Sequence, residues 1–376
     1  MDFEEVIVLK QKLALVLSGG SVRAAAHVGV LKALEEYALE PDVVVGTSGG
    51  SIVAALYATG LDARELEKLF LEYTRAKGKI MDLNWQGAIL ALLTLDYKRI
   101  TGIVRGVALE EIIAQSLPIQ RFEDLKKCQL LIPAVNLNSG QQTVFCDYKT
   151  LKLTLDQEGK YAGYPVRNDL TIAQAVRASI SIPGMFVPAE FSDDDSPDCY
   201  VDGALRDGYP VNIAIRLGKA TRVLGVNLGY AGMRRDNVVQ DGPLEIFSQS
   251  LDIIMRAQYR DRLQDRALVG SRIMTINPLI YDIGTFEVEY IPQMIARGHE
   301  VATRLFRERG LEVGCKENRE LFFRMIRDPQ SFPEKNSPYF NYLLEHQIKE
   351  RPVAEPESKP SWLEHLRAVT RRRVHG

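Results

Sequence analysis

Asp42-Val43-Val44-Val45-Gly46-Thr47-Ser48-Gly49-Gly50-Ser51-Ile52-Val53-Ala54-Ala55-Leu56-Tyr57 reads as a buried strand, a turn of small residues and a helix start. The turn, Gly46 to Gly50, fits Gly-x-Ser-x-Gly. Small residues on both sides let the backbone make a strained turn that exposes the serine oxygen, with the following amides and the helix N-terminus facing incoming negative charge. The letters alone are weak, since a chance match arises in roughly one chain of this length in ten. The strand-turn-helix context makes Ser48 a candidate nucleophile.

Working outward, Leu13 to Leu17 is an apolar run of strand length closed by Gly19-Gly20, and Val22 to Tyr37 shows Val28, Leu31 and Leu34 at helical spacing. The chain turns at Glu40-Pro41 into the second strand. Strand, glycine turn and helix, twice over, imply parallel strands joined by right-handed crossovers, with both glycine turns at the carboxyl edge of one sheet. Further helices are expected at Leu61 to Arg75, Val107 to Ser116 and Thr171 to Ala178. A hairpin is expected around Asn138-Ser139-Gly140 and a late strand at Val223 to Leu228. Beyond about residue 310 the pattern becomes helical, and Lys349 to Pro360 reads as a proline-rich charged linker. The expected division is 1–310 for a catalytic domain, 311–348 for a helical extension and 349–376 for a linker and basic amphipathic tail.

The 376 residues, 46% of them hydrophobic, suffice for a sizeable core, and a formal net charge of −2 gives no global reason to expect nucleic acid as a partner. Four dispersed cysteines form no metal-spaced pair and suit a reducing compartment. The acidic start, Met1 to Glu5, is the reverse of a secretory signal, and no run has membrane-spanning length. The expectation is a cytoplasmic protein, or one peripheral on the inner membrane face.

A serine nucleophile needs a base. None of the five histidines sits in a small-residue turn of the kind that presents one; His27 falls on a helix, and His299 lies in what reads as a surface helix. Asp202 closes the apolar stretch Cys199-Tyr200-Val201 and precedes Gly203-Ala204, so its carboxylate is expected at a strand end with little steric cover. A carboxylate within hydrogen-bond reach accepts the serine proton directly.

With these pieces in place the chain resembles the patatin-like phospholipase family. The resemblance rests on Leu17-Ser18-Gly19-Gly20-Ser21-Val22-Arg23-Ala24, Gly46-Thr47-Ser48-Gly49-Gly50 and Asp202-Gly203-Ala204, in family order, and covers roughly residues 11 to 230. Ala26 to Leu31 and Ser179 to Gly184 are weaker family-like pieces. It implies a three-layer α/β/α domain with a mostly parallel central sheet, to which the helical C-terminal extension is added. It also implies a Ser48/Asp202 dyad that cleaves a lipid ester through an acyl-serine intermediate, an oxyanion hole drawn from Gly19, Gly20, Ser21 and Arg23, a nucleophile turn built on Gly46, Gly49 and Gly50, and neither metal nor cofactor. Two residues depart from the family pattern: Ser21 and Ala24 stand where glycines are usual. Both keep a backbone N–H, and each would resist a positive φ.

Other readings of the same residues stay open at this level. Ser48 could cap a helix, Asp202 could form an Asp-Gly turn, and Arg23 could be a solvated arginine. An acyltransferase would use the same intermediate, and a catalytically poor lipid-binding protein would keep the fold. A nucleotide-binding reading of Gly19-Gly20 lacks a phosphate-loop Lys-Ser/Thr pair. Asp193-Asp194-Asp195 reads as a solvated acidic turn, without the ligand spacing of an EF-hand. Trp85 to Leu95 reads as a buried helix or as an interfacial segment, and the 361–376 tail as a basic amphipathic helix on anionic membrane, a helix docked on its own domain or a frayed terminus; these two are the candidate points of peripheral membrane contact.

Overall fold

Residues 11–75, 82–84, 101–156, 159–191, 198–229, 238–240, 242–263, 273–280, 282–284, 287–325, 338–346 and 348 are described by the computed structural model. Trp85 to Leu95, Asp193 to Asp195, the 349–360 linker and the 361–376 tail lie outside them. The strands are β1 (Leu13–Leu17), β2 (Val43–Gly46), β3 (Gly102–Val104), β4 (Gln129–Asn136), β5 (Gln142–Phe145), β6 (Val166–Arg167), β7 (Gly184–Phe186), β8 (Ala189–Glu190), β9 (Cys199–Asp202), β10 (Arg222–Val226) and β11 (Ile273–Ile276). The helices are α1 (Ala25–Glu36), α2 (Gly49–Ala58), α3 (Ala63–Arg75), α4 (Val107–Ser116), α5 (Ile172–Ser179), α6 (Ala204–Asp207), α7 (Val211–Arg216), α8 (Pro243–Leu263), α9 (Ile291–Glu308), α10 (Asn318–Met325) and α11 (Pro338–Glu345).

Strands flanked on both sides and covered on both faces must be apolar throughout, which is why β1 is Leu-Ala-Leu-Val-Leu with every residue buried. The sheet runs β11-β10-β1-β2-β4-β5-β6, and the five strands from β11 to β4 are mutually parallel. Alternate residues of β1 feed opposite cores. Leu13, Leu15 and Leu17 pack with α1, α2 and α9, while Ala14 and Val16 pack with Val211, Ile213 and Ala214 of α7. The result is three layers with a mostly parallel central sheet, and both glycine turns sit at its carboxyl edge as their position after β1 and β2 requires. Phe322, Phe323 and Leu343, beyond residue 310, join the first of these cores.

Past its midpoint the sheet becomes antiparallel, and this positions the site. β4 pairs with β2 through Val43↔Gln129 to Val45↔Leu131, then with β9 through Ala134↔Asp202 to Asn136↔Tyr200. β5 occupies the other edge of β4 over Ile132 to Val135, so β2 and β9 lie on one edge and point at each other end to end. Ser48 follows the end of β2, and Asp202 ends β9.

Two features differ from the sequence expectation. A 3-10 turn, Ser21–Ala24, precedes α1. The helix containing His299, which by sequence reads as a surface helix, packs directly on α1. Among the described residues, no helix is long and apolar enough to cross a membrane, and no group of three or more His, Cys, Asp or Glu residues is placed to hold a metal ion.

Candidate active site

Ser48 has φ 53° and ψ −131°, a conformation that L-residues rarely adopt and that costs about 1–3 kcal/mol. The surrounding turn holds it there. Ser48 N–H donates to Ser179 Oγ at 3.0 Å, and the Ser179 hydroxyl donates in turn to the Pro133 carbonyl at 2.7 Å. Ser179 ends α5, whose start is fixed by a capping box between Thr171 and Gln174. Its buried hydroxyl therefore ties Ser48 to β4 at the gap between β2 and β9. Gly49 sits so close to the preceding loop that an added Cβ would lie 2.5 Å from the Ser21 carbonyl oxygen.

The Ser48 hydroxyl makes no helix cap. It donates to Asp202 Oδ2 at 2.6 Å, while Asp202 Oδ1 accepts the Ala204 amide at 2.8 Å. Asp202 is buried, contrary to the expectation of an open strand end, because β9 is sandwiched against β4 and β8. Burial pushes its pKa up to about 7, against the opposing pull of the hydrogen bonds from Ser48 and Ala204. That is the range in which a carboxylate both takes and returns a proton near neutral pH.

The glycine loop is narrower as a donor set than its sequence suggests. The Gly19 amide donates to the Gly208 carbonyl at 2.9 Å and the Arg23 amide to the Gly20 carbonyl at 3.0 Å, so neither points free into the cleft. This corrects the four-residue hole expected from Gly19, Gly20, Ser21 and Arg23. The Gly20 amide has no acceptor among the described residues, and the Gly49 amide opens α2, where no intrahelical acceptor exists. Gly20, Ser21, Ser48 and Asp202 border one cleft of about 590 Å³, open mouth included, whose apolar wall comprises Ile182, Met185, Leu205, Phe247, Leu251 and Ile254.

Arg23 acts through its side chain. Its Nε donates to the Gly20 carbonyl at 3.2 Å, and its Nη2 meets both oxygens of Asp252 at 2.8 and 3.0 Å, with both residues buried. Asp252 lies on α8, 229 positions away, and nothing in the sequence marked it. His27 is also buried; its Nε2 lies 2.9 Å from the Ser18 carbonyl, and burial lowers its pKa to about 4. A neutral ring donating from Nε2 braces the loop, leaving Nδ1 without a partner among the described residues. His299 pairs with Glu36 at 2.8 Å.

Of the two departures from glycine, only one meets a demanding backbone. Ser21 has φ 52°, whereas Ala24 is ordinary right-handed helix at φ −55°. Left-handed backbone costs an L-residue about 1–2 kcal/mol, more for a β-branched one. Ser21→Val should therefore melt below Ser21→Gly by the equivalent of about 2 kcal/mol in denaturant titrations, and equal midpoints would exclude the strain.

Comparison with known proteins places this geometry in context. A family model described as Patatin-like phospholipase matches residues 15–215. The chain is 31% identical over 220 residues to Uncharacterized protein YqhO of Bacillus subtilis (strain 168), covering 57% of this chain and 70% of that protein. It is 28% identical over 217 residues to human Patatin-like phospholipase domain-containing protein 6, covering 58% of this chain and 13% of that protein. Against Lysophospholipase NTE1 of Candida glabrata it is 28% identical over 219 residues, covering 58% of this chain and 10% of that protein. The matched segment is thus a small part of the two longer relatives.

Proposed function

This chain belongs to the patatin-like phospholipase family, and from that premise we propose that it is a serine acyl hydrolase that cleaves carboxylic esters of lipids through an acyl-Ser48 intermediate. The observation that carries the reading is the 2.6 Å hydrogen bond from Ser48 Oγ to Asp202 Oδ2 in an apolar-walled cleft. Ser48 Oγ attacks the ester carbonyl carbon as its proton passes to Asp202. The carbonyl π pair moves to oxygen, and the amides of Gly20 and Gly49, with the N-terminus of α2 behind them, stabilise that negative charge. Collapse breaks the bond to the alcohol oxygen, which takes the proton from Asp202 and leaves. Water then adds to the acyl-enzyme with Asp202 as base, and the fatty acid departs as Ser48 recovers its proton.

The substrate class comes from two sources. The described cleft wall is largely apolar, and relatives carry the names phospholipase and lysophospholipase. A monoacyl phospholipid is the first substrate to offer, because one chain suits one apolar wall. Treatment with a fluorophosphonate probe, followed by mass spectrometry, should place the label on Ser48 in the wild type and nowhere in Ser48→Ala. The same wild-type protein should release fatty acid from lysophosphatidylcholine. An unlabelled Ser48 under conditions that label a control esterase would overturn the reading.

A further inference from the structure

α8 is apolar on two sides. Its buried and half-buried positions mix Phe247 and Leu251 with Glu245, Ser248, Gln249 and Asp252, the last anchored on Arg23, while Ile246, Ile253 and Ile254 are 42%, 53% and 47% exposed. At 100° per residue these three isoleucines fall on one outward stripe with exposed Ser250 and Ala257, and the stripe carries no charge over these positions. A helix that only covered the core would turn its isoleucines inward. The stripe also runs into the catalytic cleft, for Phe247, Leu251 and Ile254 of the same helix form part of its wall.

We propose that this outward face of α8 is the surface on which the protein sits on a lipid layer, delivering substrate from the layer to Ser48. The inference rests on the lipid-substrate reading above. Two observations choose the occupant. Three half-exposed isoleucines offer a few hundred Å² at most, well below the roughly 800 Å² per partner of a specific dimer, whereas adsorption to lipid needs apolar area without a complementary shape. Continuity with the cleft gives an acyl chain an apolar path from the layer to the site, which a protein partner on the same stripe would block. Val239, in the turn before α8, is also 73% exposed.

The test uses the full chain carrying Ser48→Ala, so that binding is read without turnover. It is sedimented with phosphatidylcholine vesicles at low and high salt, beside the same protein with Ile246→Ser and Ile253→Ser. Removing two half-exposed isoleucines should lower vesicle partitioning about tenfold. The loss should persist in high salt, since no charge on the stripe is screened. On the Ser48 background, the double variant should lose activity toward lysolipid embedded in vesicles while hydrolysing a dissolved short-chain ester within twofold of wild type, with an unchanged melting temperature. Equal vesicle binding by parent and variant overturns the proposal, as does a parent that ignores vesicles. A variant that splits a dimer in sedimentation velocity while binding vesicles normally also overturns it and assigns the stripe to a second copy. Failure of the hydrolase reading would appear separately, as vesicle binding without ester cleavage by the Ser48 protein.

Discussion

Asp202→Asn should lower kcat/KM on a dissolved ester by about 10³-fold or more, the scale of losing a general base whose proton acceptor becomes an amide. The wild-type profile should rise with unit slope toward about pH 7 and then level, because in the proposed mechanism only ionised Asp202 accepts the Ser48 proton. A flat profile between pH 5 and 9, or an Asn variant with near-normal turnover, would remove Asp202 from the chemistry. Stability should move the opposite way. Burial raises the folded-state pKa from 3.8 to about 7, so protonated Asp202 favours the fold fully below about pH 4, and that contribution is lost as pH rises through 7. Asn does not titrate. The stability of Asp202→Asn relative to wild type should therefore improve between pH 4 and pH 8, by at most about 4 kcal/mol, in paired denaturant titrations.

The second large effect lies away from the chemistry, where α1 and α9 touch backbone to backbone. A Cβ at Gly298 would lie 2.0 Å from the Ala26 carbonyl oxygen, and one at Gly29 would lie 1.9 Å from that of Ile295. In an isolated helix Gly→Ala gains about 1 kcal/mol. Here the methyl must push the helices apart, and Gly298→Ala should instead destabilise the protein by about 3 kcal/mol or more. The consequence should reach the site, because α1 carries His27, whose ring braces the Ser18 carbonyl at the start of the glycine loop. A thermal melt checks the sign at once, and a variant that melts at or above wild type would show that the helices have room to spare.

These two cases divide what was legible from what was not. The parallel pair β1 and β2 could be read because strands covered on both faces are uninterrupted apolar runs. Their glycine turns could be read because a strained turn restricts residue type over a few positions. Ser48 followed from that local grammar, and Asp202 was found as a carboxylate at the end of an apolar stretch. α8 is apolar on two sides, with Phe247 and Leu251 half-buried at the cleft and Ile246, Ile253 and Ile254 outward, so its sequence pattern does not say which side meets the core. Likewise Gly29 and Gly298 look like ordinary helical glycines until the facing helix is in place.

By itself the sequence determined the local pieces: two parallel strands, their turns, a serine on a strained corner and an acid of suitable type. Tertiary structure alone decided their meeting. β9 runs antiparallel along the edge of β4 that β2 leaves free, bringing Asp202 to 2.6 Å from a hydroxyl 154 positions away. It also gave the amides of Gly19 and Arg23 to neighbouring carbonyls and joined Arg23 to Asp252. The reason is physical: turn chemistry and burial pattern act over a few residues, whereas strand order, desolvation and ion pairing depend on what folding packs alongside.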